Sequence, residues 1–504
     1  MALQLFASSL SLLPVLPGLI IVFGLYALVL LFGNIYLTFF GPLSKFPGPT
    51  VNAFSLVPFI RSTWNGNEGI DVAALHDKYG PVVRIGPTML SFVGCPQTWK
   101  DIYGFQKIGR QLPHKDKRFY LQPINGVPSI ITANDADHAR QRKSVANAFS
   151  DKALKEQEPL LKKWAELLLV KLKEKAVAED KIDMVKMLNC TTFDIMADLT
   201  FAEPLYMLEN SSYSPWVTAI FASFKKMATF RCLKIYSTVS KYLVEDILGK
   251  MPSLRAKQMR HWRFTTDRVD KRLANPPRRP DLWSRILEKG EDRLSRDEQH
   301  SNASLFMIAG TETTATLLSG SLYYLSKNPE QMARIKTELR DSFQTLDGFG
   351  LESLAQCRYM EAVLKETLRL YPPVPVGTQR QVPKGGATIA GHFLPEGANI
   401  SIPHLATYRN SSMWTDPDEF VPERWLGDGR YEKDARASWE PFLVGPRNCV
   451  GKNLAWHEMR LLLATTLLYF DFALCKESEQ WHDQKVYTLW EKPPLWMKLT
   501  PVKA

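Results

Sequence analysis

Cys449 sits in the run Phe442-Leu-Val-Gly-Pro-Arg-Asn-Cys-Val-Gly451, just ahead of an apolar-periodic stretch that predicts a helix over 452–470. A thiol at a helix start is favoured as thiolate, because the backbone N–H groups and the dipole present positive charge there. Gly445 and Gly451 permit a tight turn, and the N–H groups that follow the cysteine can donate to its sulfur. Such a sulfur is a metal ligand; the bland alternative is a buried thiol in a glycine-rich loop. Ala309-Gly-Thr-Glu-Thr-Thr314 places an acid, Glu312, beside an alcohol, Thr313, within a helical pattern. An acid next to a positioned hydroxyl is equipped for general acid chemistry. Read alone, the same stretch is equally a polar face of a solvated helix. Glu366-Thr-Leu-Arg369 is an i,i+3 pair of opposite charge, which by itself means little. His138 and Arg142 fall on one helix face at i,i+4 spacing.

Several elements must position these residues. Val82–Ile85 and Met89–Phe92 flank Gly86-Pro87 and predict a β-hairpin. Helices are predicted over 135–149, capped by Asn134 or Asp135, over 154–177, and over 356–370 up to Tyr371-Pro-Pro373. One long helix is expected from Ser295 to Ser326, with Gly310 and its neighbouring threonines inviting a local break. Asn275–Pro280 reads as a loop, 383–403 as short strands separated by glycines, and Trp439–Gly451 as a loop. The sum is a mostly α fold with a small β part and no internal linker.

The chain has 504 residues, 45% hydrophobic and 23% charged, with net charge +11. That is ample for a large core, and no stretch has the composition of disorder. The basic residues are scattered (Lys115, Lys117, Arg118, Arg140, Arg142, Lys143, Arg278, Arg279) without interleaved aromatics or zinc-finger spacing, so no nucleic-acid partner is expected. The six cysteines, at 95, 190, 232, 357, 449 and 475, form no C-x-x-C pair, which fits a reducing compartment. Residues 1–44 carry no charged side chain, and 12–40 are almost wholly apolar. This predicts an N-terminal transmembrane helix as a membrane anchor. A cleaved signal peptide would show a basic start and a shorter apolar run. Lys45-Phe-Pro-Gly-Pro49 then makes a stiff exit into one domain over 45–504. A short uncharged tail before a basic head predicts a single-pass topology with the head on the cytoplasmic side, so the sequons at Asn189, Asn210, Asn302 and Asn410 should carry no glycan.

The pattern F-x-x-G-x-R-x-C-x-G over Phe442–Gly451, together with Ala309–Thr314, resembles the cytochrome P-450 family, and the motifs appear in the family's order across 45–504. The resemblance implies the cytochrome P-450 fold and heme b with Cys449 as axial thiolate, a ligand that pushes electron density toward O–O cleavage. It implies that Phe442, Gly445 and Arg447 shape the haem loop, that Ala309 and Gly310 leave room for dioxygen, that Thr313 hydrogen-bonds the bound oxygen, and that Glu312 relays protons. It makes Glu366, Arg369 and Arg424 a structural triad behind the haem. His138, standing where the family commonly has Trp, would join Arg142, Arg447 and Arg380 around the haem propionates. Phe306, Ala309, Thr314, 373–378 and 486–495 would line an apolar pocket, bordered by 119–132. With no flavin or dinucleotide motif in the chain, electrons would come from NADPH through a membrane-bound flavin reductase, whose acidic face complements Lys452. The wording of the last third, including Pro422–Leu426 and Gly445–Lys452, is closest to fungal microsomal secondary-metabolite hydroxylases. The implied activity is oxidation of a hydrophobic small molecule at the endoplasmic reticulum membrane. A haem-thiolate isomerase or dehydratase is disfavoured by the intact Thr313. A membrane haem-binding protein without catalysis is disfavoured by the intact Glu312–Thr313 pair.

Overall fold

The computed structural model describes residues 15–105, 111–120, 123–244, 251–277, 279–287 and 294–502. Its centre is the helix Met184–Phe201, in which every residue but Lys186 is buried. A helix that is covered all round must be wrapped by others, and here the wrapping helices are Asp151–Ala178, Arg296–Ala309 and Glu312–Lys327. Its two buried aspartates are matched, while Asn189 Oδ1 and Thr200 Oγ1 are buried without a partner. Asp194 accepts from the N–H groups of Leu205 and Leu208 at 2.8 and 2.7 Å, and Asp198 accepts from Trp164 Nε1 at 3.0 Å. Asp151–Ala178 is capped by Ser150 and buries Leu154, Leu161, Trp164, Leu168 and Leu172 along one stripe. Lys452–Tyr469 and Arg358–Leu370 complete the helical core.

The predicted hairpin pairs Val82–Gly86 with Met89–Phe92 antiparallel. Met89–Phe92 then runs parallel to Asn399–Ser401, which pairs with Arg380–Gln381, which pairs with His114–Lys115. A second sheet carries Trp496–Pro501 between Ile182–Asp183 and Phe470–Leu474, so the C-terminal strand is built into the core. Just before it, Val486–Tyr487 and Leu489–Trp490 form a minimal hairpin with Thr488 at φ 77 in the turn.

The long helix expected over 295–326 is two helices, Arg296–Ala309 and Glu312–Lys327. The reason is local. A Cβ on Gly310 would lie 2.7 Å from Met196 Sδ, and Thr311 Oγ1 bonds back to Met307 O at 2.6 Å in place of continuing the ladder. Gly310 is therefore bare to let two helices approach, and the room-making expected of it is packing against Met196.

At the N-terminal end, Val15–Phe39 is one helix of 25 residues without an acidic or basic side chain in its first or last turn. Residues 1–14 of the expected anchor lie outside the described residues. Seven of the helix's own side chains are also outside that set, and among the described residues no helix is long and apolar enough to cross a membrane. Ile21, Val22, Leu25, Val29 and Phe32 are exposed. Arg84 ties the helix end to the sheet by donating to Leu37 O and Thr38 O at 3.0 and 3.3 Å. Four of the chain's five sequons, at Asn189, Asn302, Asn399 and Asn410, have buried asparagines in the folded chain.

Candidate active site

The cysteine loop is closed by Cys449 N donating to Phe442 O at 2.9 Å and Asn448 N donating to Gly445 O at 3.2 Å. Gly445 has φ +78, and a Cβ there would lie 2.1 Å from Tyr103 O, so this position demands glycine twice over. Leu443 also holds a positive φ of 58. Cys449 is surface-accessible although protein encloses it deeply enough for burial to raise its thiol pKa. Both hold together for a side chain that faces the inside of the molecule. The Gly451 N–H, Arg142 and Lys452 work against burial and favour the thiolate. Phe442 lies 6.0 Å from the Trp456 ring, centroid to centroid, at the start of the following helix.

The helix Asp135–Val145 is stitched to this loop. Asn134 caps it, accepting from Asp137 N at 2.9 Å. Arg142 donates to Asn448 O and Oδ1 at 2.6 and 2.8 Å, so its two terminal nitrogens brace the cysteine loop. Arg447 reaches back to Ala133 O at 2.8 Å and Asp135 Oδ1 at 2.6 Å, while its Nη1 is buried without a partner.

Across the site, Phe306 meets Phe149 edge-on at 5.7 Å, and the Phe149 ring lies 3.9 Å from where a Cβ on Gly451 would stand. This fixes the end of Arg296–Ala309 over the cysteine loop. Ala309 is exposed in the middle of the molecule, and Thr313, one turn on, donates from Oγ1 to Ala309 O at 2.8 Å. The open face therefore carries a methyl and a hydroxyl. Two residues expected to line a pocket do not. Phe306 is covered by Phe149 and Trp283, and Thr314 is buried with its hydroxyl bonded to Gly310 O. Glu312 is buried and ion-paired to Lys492; burial lifts its carboxyl above the usual range, and Lys492 opposes that. Behind the helix stands a second buried acid, Glu458, pushed up to about 8 by burial and opposed by the Thr314 hydroxyl.

The sheet supplies the remaining charges. Lys115 and Arg380 are direct partners in adjacent strands, an arrangement of like charges that costs energy unless an anion intervenes. Lys115 is pulled well below its ordinary pKa by burial, Arg380 and Arg447. Arg380 keeps Nε buried without a partner. His138 is pushed down to about 3 by burial and then by Arg447, Lys115 and Arg142, so it is neutral at pH 7. A planar metal ligand with two carboxylates on one edge answers both features: the inward thiol for the metal, and an uncompensated cationic edge for the carboxylates. The residues present thus fit haem.

Glu366, Arg369 and Arg424 meet with no exposed side-chain surface. Arg369 donates to both Glu366 oxygens at 2.8 and 3.0 Å, and Arg424 Nε donates to Oε1 at 3.0 Å. Asp434 pairs with Arg424, and Trp425 Nε1 donates to Glu366 at 2.9 Å.

Three participants escape motif reading. Lys115 lies in a two-residue strand too short to show periodicity, Lys492 lies in a Pro-rich loop, and Glu458 reads as an ordinary helix residue. The Lys115–Arg380 register and the Glu312–Lys492 pair exist only in three dimensions.

The family model described as Cytochrome P450 matches residues 47–497. The chain is similar to the cytochrome P450 monooxygenase efuB of Hormonema carpetanum, 47% identical over 98% of this chain and 97% of that protein. It is also similar to the cytochrome P450 monooxygenase FUM2 of Gibberella moniliformis, 42% identical over 93% of this chain and all of that protein. The cytochrome P450 monooxygenase astJ of Aspergillus oryzae is 40% identical over 93% of this chain and 94% of that protein.

Proposed function

The chain belongs to the cytochrome P450 family, and from that premise we propose that it is a monooxygenase acting on a hydrophobic small molecule of fungal secondary metabolism, at the endoplasmic reticulum membrane, with Cys449 as the haem ligand. The observation that carries this reading is the pairing of an enclosed, inward-facing Cys449 with the open Ala309–Thr313 face of the helix held above it through Phe149.

When bound, haem supplies the activation of dioxygen and the transfer of one oxygen atom to substrate, the other leaving as water with electrons from NADPH delivered by a flavin reductase. The chain's own residues do the rest. The Gly451 N–H and Arg142 stabilise negative charge at the Cys449 sulfur. Lys115, Arg380 and Arg447 would meet the two propionates, with neutral His138 beside them, while Arg142 holds the cysteine loop in place. Thr313 offers its hydroxyl on the open face, and Glu312 passes protons inward from solvent. Excluding water from the site keeps that proton supply in the hands of these two side chains.

The membrane reading rests on Val15–Phe39. At 1.5 Å per residue its 25 residues reach about 37 Å, against a hydrocarbon core of about 30 Å. Its described apolar side chains from Ile21 to Phe32 are exposed, as a lipid-facing helix requires. The basic head beyond it fits the cytoplasmic face.

One experiment addresses both parts. The carbon-monoxide spectrum of the reduced protein is recorded on carbonate-washed membranes, beside Cys449→Ser. The expected result is a red-shifted Soret band in the membrane pellet that the variant loses. A band typical of histidine ligation overturns the ligand assignment, and a band found only in the supernatant overturns the anchor.

A further inference from the structure

Glu312 does not stand free. Its Oε1 accepts from Lys492 Nζ, which also donates to Thr316 Oγ1 at 2.7 Å, and Thr316 Oγ1 in turn donates to Glu312 O at 2.7 Å. Both members of the pair are buried, and Glu312 Oε2 has no protein partner. Lys492 comes from 180 positions along the chain, on an arm fixed at both ends. On one side, Trp490 Nε1 donates to Pro372 O at 2.7 Å and Glu491 N to Lys485 O at 2.8 Å. On the other, Leu495 N donates to Asp183 Oδ1 at 3.2 Å. Pro493 and Pro494 stiffen the stretch between.

A buried ion pair is a poor way to gain stability, since apolar residues of the same volume often do as well or better. A pair placed on the acid of an acid–alcohol couple has another use. We infer that Lys492 is a positioning residue for the oxidation: it fixes the Glu312 side chain through Oε1 and Thr316, and leaves Oε2 to take up and release the proton. This rests on the reading of Glu312 as the proton-relay acid. The arm that carries Lys492 begins at the hairpin whose turn residue, Thr488, lies 3.4 Å from Arg231 Nη1. The position of the acid is thereby tied to the segment expected to form a pocket wall.

Lys492 is the cation that reaches Glu312 among the described residues. Tyr213 and Tyr371 face it from neighbouring elements, Glu458 approaches the same helix at Thr314, and Cys190 and Asp194 stand on Met184–Phe201. None of these supplies positive charge. Burial raises the Glu312 carboxyl and Lys492 pulls it down, so removing the ammonium moves the carboxyl further up and keeps it protonated to higher pH.

The test uses the holoenzyme with reductase and NADPH. NADPH consumption and hydrogen peroxide release are followed against pH for wild type, K492M, K492R, E312Q and the E312Q/K492M double variant. Infrared difference spectra of the same proteins report protonated buried carboxyl groups. In K492M the alkaline limb of the NADPH profile should move up by about one to three pH units. K492M should also gain a protonated-carboxyl band at neutral pH, above any from Glu458, that is missing in the double variant. K492R should keep the wild-type profile. If E312Q loses the limb but K492M retains both the wild-type profile and the wild-type infrared spectrum, Lys492 has no positioning role and the inference falls alone. If E312Q itself behaves as wild type, it is the relay reading of Glu312 that fails. Should K492M not accumulate with haem, recovery in the double variant supports the pair, and an equal failure of the double variant overturns it.

Discussion

Two clusters of buried charge, around Glu366 and around Lys115, are finished differently. Around Glu366 the account closes within the protein: two arginines, two carboxylates, and backbone carbonyls of Tyr408, Thr415, Asp416, Pro417 and Glu419 take up the remaining guanidinium donors. Around Lys115 it stays open. Lys115, Arg447 and Arg142 act on a neutral His138, Arg380 stands beside Lys115 and Arg447, and Asp135, the carboxylate paired with Arg447, is half exposed to solvent. A network that is neutral by itself makes a rigid frame. A network in positive excess is a seat for an anion, because its members repel until one arrives.

Breaking the closed cluster should have the largest effect. Glu366→Gln leaves Arg369 and Arg424 facing each other with Asp434 as the one remaining carboxylate, an uncompensated buried charge that costs on the order of 3–5 kcal/mol. The expected outcome is little or no folded holoprotein, read as loss of the carbon-monoxide band per unit of protein; near-normal accumulation would show the frame to be dispensable. The open cluster should respond more gently and in a different quantity. Lys115→Met removes the ammonium that would meet a haem carboxylate and relieves repulsion with Arg380. The fold should survive, while haem passes to excess apomyoglobin about ten- to a hundredfold faster, the equivalent of one charge-assisted hydrogen bond. Unchanged haem retention would mean that the cluster does not hold the propionates.

The smallest effect belongs to His138. Its folded-state pKa is about 3 against 6.5 for the free group. The unfolded chain therefore takes up the proton first as the pH falls. The stability due to neutral His138 is complete above pH 6.5 and is lost as the pH drops from there toward 3. His138→Asn should flatten the fall of the melting temperature over that interval by about one to two degrees. Haem carboxylates would supply the missing negative charge, so the flattening should be weaker with haem than without; equal flattening in both would place the anion elsewhere.

This contrast also sorts what could be read from residues in order. The helices expected from apolar spacing over 135–149, 154–177, 356–370 and 452–470 are found at Asp135–Val145, Asp151–Ala178, Arg358–Leu370 and Lys452–Tyr469, with Asn134 capping the first as expected. The fully buried helix Met184–Phe201 carries no stripe to announce it, because periodicity disappears when every face is covered. The split after Ala309 could be anticipated as a weakness at Gly310, but its cause, Met196 on another helix, is a contact between distant segments. In the site, Cys449, Thr313 and the Glu366 triad lie in motifs, since their spacing is local. Lys115 beside Arg380 depends on strand register, and Lys492 beside Glu312 on the path of the C-terminal arm, neither of which leaves a trace in local sequence.

The docking of Trp496–Pro501 between Ile182–Asp183 and Phe470–Leu474 has a consequence for how the molecule is made. During synthesis, the acid and alcohol at the start of Glu312–Lys327 leave the ribosome long before the arm that carries Lys492. Until that strand is threaded into its sheet, Glu312 lacks the ammonium of Lys492. The chain can therefore assemble most of its helical body, and even its cysteine loop, while its catalytic half remains unfinished.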